Sequence, residues 1–76
     1  MAVTVRSYVQ TGHLNHEMKD VATGMMVAHR YQHVVTGIHY VRDYGPAVES
    51  FAPPVYSGPS EQEANKAWIT LYRRYN

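Results

Sequence analysis

The stretch Met25–Tyr44, MMVAHRYQHVVTGIHYVRDY, constrains the fold more than any other part of the chain. It is a run of β-branched and aromatic residues broken once, at Thr36-Gly37, and then resumed. Val, Ile, Tyr and Thr pack well on a pleated backbone, and Gly supplies the positive φ that a tight turn needs. The stretch therefore reads as two long antiparallel strands joined by a two-residue loop at 36–37. That loop sets a register in which Arg30 lies opposite Asp43, Gln32 opposite Val41 and Val34 opposite His39, all on one face. The other face pairs Val35 with Ile38, His33 with Tyr40, Tyr31 with Arg42 and His29 with Tyr44. Because strand side chains alternate, a slip of one residue would exchange the two sets. The Arg30–Asp43 pair marks its face as the wet one and leaves the aromatic face to pack against helices.

The flanking segments extend this unit. Val3–Gln10 alternates, with Val3, Val5 and Val9 on one side and Thr4, Arg6, Tyr8 and Gln10 on the other, as in a half-buried strand. Thr11-Gly12 reads as a bulge or the strand's end, and His13–Asn15 as the lead into a turn. Glu17–Ala22 is a weaker strand, closed by a hairpin loop at Thr23-Gly24 that places Glu17 opposite Arg30. One arginine then sits between two carboxylates, each cross-strand pair contributing about 0.2–1 kcal/mol. Beyond Tyr44, Gly45-Pro46 breaks the sheet, and Pro46 suits the first position of a short helix over Ala47–Ala52 with Val48 and Phe51 facing inward. PPVYSGP reads as a rigid, exposed connector. Ser60-Glu61-Gln62-Glu63 is a capping box, and Ala64, Ala67, Trp68, Leu71, Tyr72 and Tyr75 then recur at helical spacing on one face. Arg73 and Arg74 fall where the negative end of a helix favours cations.

Strands first and helices afterwards imply an α+β domain over residues 1–76: a four-stranded antiparallel sheet with two C-terminal helices packed on one face. The expected core is Val3, Val5, Val9, Val27, Tyr31, Ile38, Tyr40, Phe51, Trp68 and Leu71. The uncovered sheet face would carry Tyr8, Glu17, Arg30, Gln32, His39, Val41 and Asp43.

A chain of 76 residues buries only about 60% of its unfolded surface, which leaves room for a small core and no large pocket. Without cysteine it has no disulfide and no thiolate zinc site, which suits a reducing cytoplasm. The start, MAVTVRSYVQ, lacks the pattern of a signal peptide, and no apolar run approaches the roughly 20 residues of a spanning helix, so no membrane partner is expected. A net charge of +1 spread along the chain argues against direct nucleic-acid binding.

Five histidines raise the question of a metal. His29 and His33, four apart on a strand, lie about 13 Å from each other and cannot share an ion. Only His13-x-x-His16, with Glu17 or Asp20 beside it, offers a local clamp, and it is a partial one: structural zinc sites usually contain cysteine and catalytic ones use three protein ligands. A small metal-binding domain built on His13 and His16 is therefore the alternative reading, and no cofactor is otherwise expected. The serines lie in no nucleophile elbow or Gly-rich loop, so an enzyme is not expected. Seven tyrosines stand out, and Tyr8 differs from the rest because Val3, Val5 and Val9 on its strand face the other way. An exposed aromatic beside Arg30 and Gln32 has the composition of a protein-binding hot spot. A further alternative is a generic interaction or self-assembly module whose β-edge pairs with another copy.

Gly12-His13-Leu14-Asn15 follows the strand bearing Tyr8, Val34-Val35-Thr36-Gly37 closes a hairpin, and Arg42-Asp43-Tyr44 ends the last strand. Val48-Glu49-Ser50-Phe51 and a final helix ending in Arg73-Arg74 follow. In that order the chain resembles the small phage-encoded anti-CRISPR proteins that inhibit the type I-F surveillance complex. The resemblance spans nearly the whole chain through short motifs. It implies a four-stranded sheet with two helices on one face. It also implies a non-enzymatic inhibitor in the host cytoplasm that docks on the complex's repeating backbone subunits and prevents target DNA from hybridising. The family's first-strand contact tyrosine carries over to Tyr8. Its second-strand tyrosine is met by Val21 and its third-strand glutamate by Gln32, two departures. With the neighbours argued above, the expected partner-binding set is Tyr8, Glu17, Val21, Arg30, Gln32 and Asp43.

Overall fold

The computed structural model describes residues 1–45 and 53–76. Five strands, β1 (Val3–Gln10), β2 (His13–Asp20), β3 (Met26–His33), β4 (His39–Asp43) and β5 (Pro54–Gly58), precede a helix, α1 (Glu61–Tyr75). The strands form one antiparallel meander in the order β1-β2-β3-β4-β5. Among the described residues, a five-stranded sheet with a single C-terminal helix therefore stands where four strands and two helices were expected. The extra strand comes from the segment read as a connector. Val55, Tyr56 and Ser57 alternate in side-chain direction, and Pro54 is tolerated because it opens an edge strand, where a missing amide costs least. The expected helix over Ala47–Ala52 lies outside the described residues.

Turn chemistry fixes the registers. Thr11 and Gly12 both have positive φ (49° and 75°), so the first hairpin closes on a tight two-residue turn with Gln10 opposite His13. The other two hairpins share a longer loop of sequence Val-x-Thr-Gly. In each, the glycine has φ of 73° and its amide donates back across the loop: Gly24 N to the Asp20 carbonyl at 2.8 Å, Gly37 N to the His33 carbonyl at 2.7 Å. The threonine hydroxyl accepts from the residue after the glycine, Met25 at 3.2 Å and Ile38 at 3.3 Å.

These loops move both expected registers. Arg30 faces Val41 rather than Asp43, a shift of two residues that leaves the β3 and β4 side chains sharing faces with the neighbours expected. Glu17 faces His29 rather than Arg30, a shift of one residue that turns β2 over. A bulge between Met18 and Lys19 absorbs the difference: Met18 pairs with Ala28 and Lys19 with Met26, so Val27 is an extra residue, buried together with Ala28.

Helix α1 follows the sequence closely. Ser60 caps it, its hydroxyl accepting from the Glu63 amide at 3.1 Å. The reciprocal half of the capping box is replaced, because the Ser60 amide donates to the Tyr56 hydroxyl at 3.0 Å. Ala64, Leu71 and Tyr75 are buried, Ala67 and Trp68 pack at the margin, and Tyr72 is exposed. The helix lies mainly over β3, β4 and β5. It covers the face bearing Met18, Ala28 and Val41, which is also the face of Arg30, Gln32, His39 and Asp43. The expected wet face is thus the buried one.

The polar residues that suggested otherwise are individually paired. The Arg30 guanidinium donates to Asn65 Oδ1 on the helix. Asp43 accepts from the Tyr75 hydroxyl at 2.5 Å, from Arg74 Nη1 at 3.0 Å and from the Gly45 amide at 2.9 Å. Of the expected core, Val3, Val27 and Leu71 are buried, whereas Tyr31 and Tyr40 stand on the uncovered face. Val5 and Val9 share the helix side but lie beyond the reach of α1, and are 44% and 72% exposed. Ile38 is half-buried beside the loop, and Phe51 lies outside the described residues.

Candidate functional site

The helix-free face is built from the alternate residues of β1–β4, and its first cluster lies on β1 and β2. Tyr8 pairs with Asn15 and Arg6 with Glu17, so all four side chains share this face. The Tyr8 hydroxyl donates to Glu17 Oε1 at 2.8 Å, and the Arg6 guanidinium sits 5.0 Å from the centre of the Tyr8 ring. That hydrogen bond to a carboxylate, chiefly, raises the tyrosine's pKa. Lys19 Nζ lies 3.6 Å from Glu17 Oε2, an oxygen that is buried and without a hydrogen-bond partner. The ring of Tyr8 is therefore held between a cation and an anchored hydroxyl, a rigid amphipathic element of the kind that anchors interfaces.

A second cluster continues across β2, β3 and β4. Tyr31 and Tyr40, paired across the strands, stack with ring centres 4.8 Å apart and planes at 18°. His29 approaches Tyr31 at 5.2 Å, and His13 meets His33 edge-on at 4.6 Å. Asn15 ties the clusters together. Its Nδ2 donates to the His13 carbonyl at 3.0 Å, which leaves Oδ1 to accept from His29 Nε2 at 2.9 Å and fixes that ring's tautomer. Burial lowers the His29 pKa, with Arg42 and His16 adding to the effect against an opposing pull from Glu17. The imidazole is thus held neutral at physiological pH. Gln10, Thr11, His13, Asn15, His29 and Tyr31 line a shallow depression of about 250 Å³ on this face.

Tyr8 and Glu17 of the expected set meet here, joined by a hydrogen bond. Arg30 and Gln32 are on the opposite face, lining a cleft of about 170 Å³ between the sheet and the start of α1 with Leu14, His16, His39 and Glu61. Asp43 is engaged with the end of the helix, and Val21 is exposed in the β2–β3 loop. The expected grouping of Tyr8 with Arg30 and Gln32 on one face is therefore not formed, because the one-residue change between β2 and β3 separates them. His13 and His16 also point to opposite faces: His13 packs on His33, while His16 Nδ1 lies 2.7 Å from the Ser7 hydroxyl. No group of three or more His, Asp or Glu among the described residues is placed to hold a metal ion.

Sequence reasoning missed Asn15, His29, Tyr31 and Tyr40 as parts of the open face. The available signal was the even-numbered set Arg6, Tyr8 and Gln10: extending a single polar face from them through the tight Thr11-Gly12 turn leads to Asn15 and Glu17. No helix among the described residues is long and apolar enough to cross a membrane. No protein-family model, curated protein or solved structure matches the chain.

Proposed function

We propose that this chain is a non-catalytic protein-binding module that docks through its helix-free sheet face. Its target is a backbone subunit of a type I CRISPR surveillance complex, where it blocks hybridisation of target DNA by occlusion. The observation that carries this reading is the position of Tyr8. It stands on the uncovered face, with its hydroxyl anchored by Glu17 and its ring under Arg6. A preorganised aromatic loses little freedom on binding, which is why such residues dominate interface energetics. The neighbouring rings of Tyr31 and Tyr40 extend the contact area. The choice of target rests on the sequence motifs shared with the type I-F inhibitors, above all the place of Tyr8 before Gly12-His13-Leu14-Asn15.

The test is target-DNA binding by a purified type I-F surveillance complex in the presence of the chain. Occlusion requires that pre-incubation abolish DNA binding while the complex stays assembled, and that Tyr8→Ala restore it. DNA binding unaffected by a large excess of the wild-type chain removes the proposed target.

A further inference from the structure

We propose that β1 pairs with β1 of a second copy of this chain, making a two-fold dimer with a continuous ten-stranded sheet centred on Ser7. Three observations carry it, and none depends on the CRISPR reading.

The first is the edge itself. β1 closes one side of the sheet over eight residues, Val3–Gln10, without a proline or a bulge against β2. In a hairpin with a two-residue turn, the residues flanking the turn exchange both backbone hydrogen bonds. Gln10 and the other even-numbered residues of β1 therefore bond to β2, in line with the Val21 amide donating to the Ala2 carbonyl at 3.0 Å. The amides and carbonyls of Val3, Val5, Ser7 and Val9 then point outward along the free edge. Natural edges are commonly blunted with prolines, bulges or charges. Here the one charged side chain on the strand is Arg6, and it is folded over Tyr8.

The second is the apolar surface next to that edge. Val5, Val9 and Leu14 share the helix side of the sheet, and all three are exposed because α1 lies over the other strands. The third is self-complementarity. An antiparallel partner must keep faces together, and pairing that places Ser7 opposite Ser7 does so. It sets Val5 against the partner's Val9, and Thr4 against the partner's Gln10. On the open face it sets Arg6 beside the partner's Tyr8, repeating across the axis the cation–π contact already made within one chain. Moving the register by two places one way puts Arg6 opposite Arg6, a like-charge pair that disfavours it, and the other way sets Val9 opposite the partner's Ser7 and loses the Val5–Val9 pairs. Pairing about Ser7 merges the two valine patches into one strip and leaves both Tyr8 faces open. An isologous contact of this kind closes on itself and gives dimers rather than fibres.

The experiment is light scattering coupled to size exclusion, with hydrogen exchange, on the full chain alone up to about 200 µM. The expected result is a mass rising to twice the monomer's, with slow exchange at the amides of Val5, Ser7 and Val9 only where the dimer is populated. Val9→Lys, at a largely exposed position, weakens dimerisation at least about tenfold and leaves the thermal midpoint of the monomer unchanged. A monomer throughout the range, or fast exchange of those three amides in a dimer, overturns the proposal. So does a dimer that Val9→Lys leaves intact. Because no partner is present, failure here leaves the Tyr8 reading untouched, and the reverse also holds.

Discussion

Asp43→Ala should be among the most damaging single substitutions of a charged residue in this protein. The carboxylate makes three contacts of unequal worth, two to the end of α1 and one to the turn that follows β4. The Tyr75 hydroxyl, largely buried, donates to it at 2.5 Å, and a hydrogen bond to a charged group contributes about 1.5–3 kcal/mol. The Gly45 amide at 2.9 Å adds about 0.5–1.5 kcal/mol. The Arg74 ion pair at 3.0 Å adds little, because the arginine side chain is 57% exposed and solvent screening reduces such pairs to about 0–1 kcal/mol. The loss is therefore about 3 kcal/mol, a large share of the roughly 4–11 kcal/mol that a domain of this size holds in total. At about 4–8 °C per kcal/mol the thermal midpoint should fall by about 12–24 °C. Calorimetry or circular dichroism on Asp43→Ala, Tyr75→Phe and the double variant gives the coupling, and a parallel cycle with Arg30→Met provides the contrast. The account requires Asp43 to couple to Tyr75 more strongly than to Arg30. A fall of less than about 3 °C, or stronger coupling to Arg30, would refute the register from which these contacts follow.

Three smaller effects follow from the same structure. His16 and His29 both have pKa values lowered by burial, so the folded state binds fewer protons than the unfolded one just below the ordinary imidazole range. Their stabilisation is complete above that range and is lost as pH falls through it; the thermal midpoint should drop between about pH 7.5 and about pH 5, less steeply in His29→Gln. Ser60→Ala removes the acceptor for the Glu63 amide and should cost about 1 kcal/mol, seen as a midpoint about 4–8 °C lower. Gly37→Ala meets no side chain in the loop, so its cost of about 1–2 kcal/mol in urea titration isolates the strain of a positive φ.

Local signals in the sequence were reliable where one residue type has one physical role. β1 was legible because Val3, Val5 and Val9 fall on alternate positions, and α1 because Ser60 and the Ala64, Leu71, Tyr75 spacing agree. Registers were harder. Thr-Gly marks a turn, but not whether two or four residues form the loop: Thr11-Gly12 is the whole turn, whereas the other two pairs are the last half of four-residue loops. A two-residue error between β3 and β4 preserved the faces, while a one-residue error between β2 and β3 separated Tyr8 from Arg30. The inverted layer has a different cause. Arg30 and Asp43 looked like solvated charges because their partners, Asn65, Tyr75 and Arg74, come from a helix more than thirty residues away. Meanwhile Tyr31 and Tyr40 looked like core, and with His13 and His29 they cover one another instead. Among the described residues one helix covers only one face of the sheet, and the aromatic face is the one left open.

The central claim is that this open face, with Tyr8 at its anchor, is the docking surface. The direct measurement is the affinity of the chain for a purified type I-F surveillance complex, comparing the wild type with Tyr8→Ala and with Ile69→Ala on the exposed side of α1. The account predicts that Tyr8→Ala weakens binding at least about tenfold, or 1.4 kcal/mol, while Ile69→Ala changes it less than about twofold. Binding that tolerates Tyr8→Ala and is lost with Ile69→Ala would place the surface on the helix and contradict it.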